Sequence, residues 1–140
     1  TLASELFLNT SQKDRGSIKI IERIGTGLVP IIESGDLRAA RPLLEEYLQP
    51  MLDAGADNIV LGCSHYPFLV PIIKEIVPEG INIHDSGYAV AKHTKKTLES
   101  LELLSNNEAG QHQFLTNANE NILRGFLDVV GAKSYSVAAF

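Results

Sequence analysis

Short apolar runs alternate along the chain with stretches whose apolar residues recur every three or four positions. Ser17–Ile24 (SIKIIERI) reads as a strand that ends at Gly25-Thr26-Gly27. Leu37, Ala40, Leu44, Leu48 and Met51 are spaced 3, 4, 4 and 3, which is one face of a helix. Pro50 falls inside that pattern and predicts a kink or an early end, with Gly55 placed as the C-cap. Asn58–Gly62 (NIVLG) has the continuous apolar character of a strand buried on both faces of a parallel sheet. The next helix is expected from Pro67, with Leu69, Ile72, Ile73 and Ile76 toward the core and Pro78 and Gly80 as its stop. Ile81–His84 (INIH) is a further strand, closed by Asp85-Ser86-Gly87. A helix follows with Ala91, Thr94, Leu98 and Leu101 on one face, then a polar loop over Ser105–Gly110. His112–Thr116 reads as a strand. Asn117 is placed to cap the next helix, with Glu120 completing a capping box. Ile122, Leu123, Phe126, Leu127 and Val130 form that helix's apolar face, Gly131 ends it, and Ser134–Ala138 is a last strand. Such alternation of strand and helix predicts an α/β fold, a largely parallel sheet flanked by helices.

Composition narrows the class. At 140 residues the chain is one ordinary domain or a piece of a larger protein, and its opening on Thr1 rather than a methionine reads as the second. A net charge of −5 without a long basic run argues against a general nucleic-acid surface. No apolar run reaches membrane-spanning length, and TLASELFLNT lacks the charged start and apolar centre of a signal peptide. The single cysteine excludes an internal disulfide, so a reducing, cytoplasmic setting is expected.

Candidate chemistry centres on Leu61-Gly62-Cys63-Ser64-His65-Tyr66-Pro67. Cys63 sits where a strand gives way to a helix, and ligands of open α/β sheets bind beyond the carboxyl ends of the strands. The helix start offers unpaired N–H groups and a partial positive charge, a field that favours a thiolate and can hold a substrate carboxylate. Gly62 permits close backbone approach, Ser64 adds a hydroxyl, and His65 is a proton partner two residues from the thiol. Spacing alone leaves other readings open. A lone cysteine after an apolar strand also serves as a small buried hydrophobe. Cys63 and His65 are two of the four ligands a zinc site needs, and a Cys–His pair is also a nucleophile–base arrangement for hydrolysis.

The segment LGCSHYPFL resembles the signature LGCTHYPLL around the second catalytic cysteine of glutamate racemases, with Ser64 keeping the hydroxyl of the usual threonine. The resemblance extends in order along the chain. Thr1-Leu2-Ala3-Ser4 is similar to the stretch after the family's mid-chain crossover, and Leu28–Glu33 with Ser34-Gly35 is similar to the segment upstream of that cysteine. His84-Asp85-Ser86-Gly87 resembles the family's (I/V)DSG motif, and Phe114–Leu127 its closing segment.

The resemblance implies a two-lobed, pseudo-symmetric fold and an amino-acid racemase that interconverts L- and D-glutamate. One thiolate removes the α-proton while a second thiol protonates the opposite face, without pyridoxal phosphate, metal or nucleotide. By this resemblance Cys63 acts on the L-enantiomer, Ser64 binds substrate, His65 assists the proton transfer and Glu33 orients or polarises His65. On sequence alone Glu33 is equally a solvated helix residue and His65 a packing residue. Asp85 and Ser86 are expected to cap the following helix, and His84, His93 and His112 to be surface or packing residues. The implied partners are L- and D-glutamate and a second copy of the intact enzyme, with no nucleic acid or membrane. The implied product is D-glutamate for peptidoglycan. An aspartate racemase relative and a glutamate-binding domain without catalysis remain alternatives.

Two departures stand out. Gly25-Thr26-Gly27 occupies the place where relatives often show Cys-Pro, and the family's other catalytic cysteine has no counterpart among these residues. The chain alone is therefore expected to be inactive. Residues 1–85 are expected to form most of the Cys63 lobe, and residues 86–140 to complete the other lobe of an intact enzyme while exposing Ile122, Phe126 and Leu127.

Overall fold

A computed structural model describes residues 18–106 and 110–140, so the Thr1-Leu2-Ala3-Ser4 resemblance and part of the Ser105–Gly110 loop lie outside the described residues. Two compact units are present. One comprises residues 18–32 and 36–85, and the other Glu33–Gly35 with residues 86–140.

The first unit opens without regular structure. The apolar alternation of SIKIIERI predicts a strand, yet residues 18–24 form none, and Ile18, Ile20 and Ile24 are exposed. β-Branched residues favour extended backbone, but a strand also needs a neighbour to pair with. Helix α1 (Leu28–Ser34) buries Leu28 and Ile32. A 3₁₀ turn, Leu37–Ala40, leads into α2 (Arg41–Asp53), and the two share the predicted face, with Ala40, Leu44 and Leu48 buried. Pro50 does not stop α2, which runs three residues further. The helix ends instead at Gly55 (φ 82°). There Ala56 N donates to Met51 O at 3.0 Å and Gly55 N to Leu52 O at 2.9 Å, a Schellman cap that needs left-handed backbone.

Strand β1 (Asn58–Val60) is shorter than predicted and buries only Ile59, with Val60 76% exposed. The expectation of burial on both faces therefore fails. After it comes a 3₁₀ turn, Tyr66–Leu69, and then α3 (Val70–Ile76), three residues later than Pro67 predicts. Leu69, Ile72 and Ile73 are buried as expected. β2 (Asn82–His84) pairs parallel to β1, from Asn58↔Asn82 to Val60↔His84. Arg38 and Arg41 converge on Glu75 of α3 at 2.7 and 2.9 Å, tying the first 3₁₀ turn and α2 to α3. The hydrogen bond from Arg38, followed by the two guanidinium charges, outweighs desolvation and holds the Glu75 carboxyl below its ordinary 4.5.

The second unit has little core. α4 (Gly87–Ser100) buries no residue, and Ser86 at its N-cap makes no side-chain cap bond. β3 (His112–Thr116) matches its predicted range and pairs parallel to β4 (Tyr135–Ala139), from His112↔Tyr135 to Thr116↔Ala139. Between them α5 (Glu120–Val129) is capped by Asn119, whose Oδ1 accepts from Asn121 N at 2.9 Å. The predicted cap, Asn117, lies too early, because Thr116 Oγ1 already accepts from Ala118 N in a preceding turn. Gly131 (φ 69°) closes α5 with the same bond pattern as Gly55. Leu127 is buried and Ile122 and Phe126 half-buried, so the apolar face expected to be open is partly covered. Arg124 and Asp128 of α5 bond to Val137 O and Tyr135 Oη, holding the helix on β4. Other apolar residues of this unit are exposed, among them Val90, Leu101, Leu103, Leu115, Val129, Val130 and Phe140.

The fold expectation holds as an α/β chain whose strands are all paired parallel among the described residues, in two separate pairs rather than one sheet.

Two outcomes test these packing arguments. Leu69→Ala removes a fully buried side chain and is expected to cost about 2–5 kcal/mol in urea unfolding. Glu75 contributes stability that is complete above its ordinary value of 4.5 and fades as pH falls through its lower folded value. Glu75→Gln is therefore expected to flatten the acid side of the urea-midpoint profile and to lower the midpoint at neutral pH.

Candidate active site

The ladder of β1 and β2 continues one step past Val60, where Leu61 N donates to His84 O at 2.8 Å. The chain then leaves the sheet through Gly62, and Cys63-Ser64-His65 forms the loop that follows. Two short bonds shape it. Tyr66 N donates to Cys63 O at 3.1 Å, and Phe68 N to His65 O at 3.2 Å. Pro67 lies at the start of the 3₁₀ turn, whose last residue is the buried Leu69. The loop is thus fixed by strand pairing on one side and by core burial on the other.

Within it Cys63 Sγ stands 3.9 Å from His65 Nδ1, both side chains half-buried. That is within reach of a sulfur hydrogen bond, with the direction of donation set by the imidazole tautomer. A thiol and an imidazole so placed can exchange a proton while each stays accessible to a small molecule. Ser64, between them, is exposed. A methyl group at Gly62 would meet nothing within 4 Å, so no neighbour among the described residues demands glycine there.

The helix field differs from expectation. The α-helix proper starts at Val70, and the turn nearer Cys63 is 3₁₀. The amides of Tyr66 and Phe68 already serve the Cys63 and His65 carbonyls. Cys63, Ser64 and His65 are brought together by the loop, whereas Glu33 is exposed near the C-terminal end of α1 and groups with the other unit. His84 is exposed and bonds through Nε2 to Asn58 Oδ1 at 2.8 Å, while His93 and His112 are exposed. Among the described residues no group of three or more His, Cys, Asp or Glu side chains is placed to hold a metal ion. Nor is any helix among them long and apolar enough to cross a membrane.

Behind the loop lies a cavity of about 90 Å³, walled by Leu28, Leu48, Ile59, Leu69 and Tyr66 among others, with Arg23 the only charged lining residue among the described residues. Its walls are largely apolar. Tyr66 was not singled out from the sequence. Its phenol donates to Gly25 O at 3.3 Å, a contact between residues 41 positions apart.

No protein-family model matches the chain. A glutamate racemase of Pseudomonas putida is 40% identical over the whole chain, which spans 54% of that protein. One of Ralstonia pickettii is 43% identical over 85% of the chain and 43% of its own length. The chain thus spans about half the length of the curated relatives it matches. Among solved structures, a glutamate racemase isoform from Bacillus anthracis aligns over 96% of the chain and 52% of its own, with TM-score 0.78 and 20% identity, a likeness of fold. A glutamate racemase from Francisella tularensis, solved with D-glutamate, aligns over 96% of the chain and 51% of its own, with TM-score 0.78 and 18% identity. With 40% identity carried across all its residues, the chain belongs to the glutamate racemase family and corresponds to about half of a member's length.

Proposed function

We propose that this chain carries one half of a two-thiol glutamate racemase site, with Cys63 as the acid/base facing the L-enantiomer. The observation that carries the reading is the 3.9 Å approach of Cys63 Sγ to His65 Nδ1 in an accessible loop beyond the carboxyl end of β1. A family of glutamate racemases, one of them solved with D-glutamate, supplies the substrate.

The chemistry follows from how weakly acidic an amino-acid α-proton is. His65 takes the thiol proton, and the thiolate then removes the α-proton of L-glutamate, leaving a carbanion beside the carboxylate. A second thiol, outside the residues of this chain, delivers a proton to the opposite face. Alignment of base, carbon and acid contributes on the order of 7–11 kcal/mol toward the barrier. The Ser64 hydroxyl and amide hold the substrate carboxylate as charge grows on it. Glu33 orients His65 in the assembled enzyme, a role that the family resemblance supports. No cofactor enters this scheme. Residues 1–85 belong to the Cys63 lobe and 86–140 complete the partner lobe of a full-length, dimeric, cytoplasmic enzyme that supplies D-glutamate for peptidoglycan. With one cysteine, the chain alone does not invert glutamate. That same count favours a second reading, a glutamate-binding domain without catalysis.

Proton NMR of L- and D-glutamate in deuterated water separates these readings. α-Proton exchange from the L-enantiomer alone, abolished in Cys63→Ala, is expected. His65→Ala is expected to slow that exchange about 10²–10⁴-fold. Glutamate binding without any exchange supports the second reading. Full inversion by the chain alone sinks the half-site account.

A further inference from the structure

Tyr66 adjoins His65 in sequence, yet the proposed proton transfers do not use it. Its backbone amide donates to Cys63 O at 3.1 Å and its phenol to Gly25 O at 3.3 Å. One residue therefore ties the thiol-bearing loop to the turn that precedes α1. The next carbonyl of that turn, Thr26 O, accepts from Tyr47 Oη at 2.8 Å. Two tyrosines from different elements thus hold consecutive carbonyls of one turn.

The fit at Gly25 is close. A Cβ added there would overlap the Tyr66 hydroxyl, and would lie 2.9 Å from Tyr66 Cζ and 2.8 Å from Leu28 Cδ1. Only a residue without a side chain leaves the phenol its seat. Gly25 is thus the landing site of this ring. Burial first, and then the charges of Cys63 and Tyr47, keep the phenol protonated beyond its ordinary range. It therefore acts as a donor at neutral pH.

We propose that Tyr66 is a positioning residue: its bond to the Gly25 carbonyl holds the Cys63-Ser64-His65 loop in place and so sets the separation of thiol and imidazole. The inference rests on the Cys63–His65 pair being the working pair of the proposed function. At 3.9 Å that pair is near the outer limit of a sulfur hydrogen bond, so a small relaxation of the loop breaks it. Displacements of this size are costly in catalysis as well.

The test reads the thiol itself and needs no turnover. Iodoacetamide alkylation of Cys63 is followed across pH in the unaltered chain and in Tyr66→Phe, Gly25→Ala, Tyr47→Phe and His65→Ala, each checked for folding by circular dichroism. Tyr66→Phe is expected to shift the alkylation rate at neutral pH about three- to tenfold toward that of His65→Ala, the equivalent of one hydrogen bond. Gly25→Ala, which displaces the same ring without altering it, is expected to move the rate the same way and serves should Tyr66→Phe not fold. Tyr47→Phe keeps the Tyr66 bond and is expected to retain the parent profile. Parent behaviour in folded Tyr66→Phe or Gly25→Ala, with His65→Ala clearly altered, overturns the positioning role and leaves the pair intact. An unaltered profile in His65→Ala overturns the pair on which both proposals stand.

Discussion

The burial of Leu69 governs where the chemistry of this chain can sit. Leu69 is fully enclosed, with Ile72 and Ile73 beside it and Leu44 and Leu48 of α2 in the same core. Eight residues back, Leu61 is fixed to His84 by the last rung of the parallel pair. Seven residues lie between these two fixed points, and Cys63, Ser64 and His65 are among them. Too short to fold on itself, the loop has few conformations to lose, and its two internal backbone bonds remove most of those. A thiol and an imidazole two residues apart are then held near each other without a dedicated framework of their own.

Half-burial is the compromise that such a pair needs. A cysteine sealed in the core would be a spacer for packing, and one fully exposed would be ordered by nothing. Cys63 and His65 are both intermediate, while Ser64 between them is exposed. The amides of Tyr66 and Phe68 are spent on the turn's own carbonyls. Any carboxylate bound here must therefore draw on Ser64 and on groups beyond the turn.

Much of the fold was legible because local signals agreed with one another. β3 was readable to the residue, and the helical face Ala40, Leu44, Leu48 is buried as its spacing demands. The misreadings have a common cause. Residues 18–24 have the letters of a strand and pair with no strand among the described residues, which no local pattern reports. Pro50 looked like a stop, yet it sits in the final turn of α2, where few intrahelical bonds follow it. Asn117 and Asn119 are both competent caps, and the turn made by Thr116 decided between them. The unit holding α4 shows the same limit from the other side. Fourteen residues with helical spacing form a helix that buries nothing in this chain, so periodicity there records a face without saying what covers it.

The candidate site is marked in the sequence by its reactive residues and not by what supports them. Cys63, Ser64 and His65 read as a candidate proton-transfer loop, since thiol, hydroxyl and imidazole are residue types that chemistry selects. Tyr66 stood beside them and passed as an ordinary aromatic. Gly25 passed as a turn residue that departed from its relatives. Each was uninformative alone, because a phenol seeks any acceptor and a glycine fits any turn. Their meaning lies in the pairing across 41 positions, where the ring occupies the volume that a side chain at residue 25 would need. A substitution at one position is then only as neutral as the other permits. The turn at Gly25-Thr26-Gly27 touches neither the thiol nor the imidazole and is still joined to both, because the ring that it seats belongs to their loop.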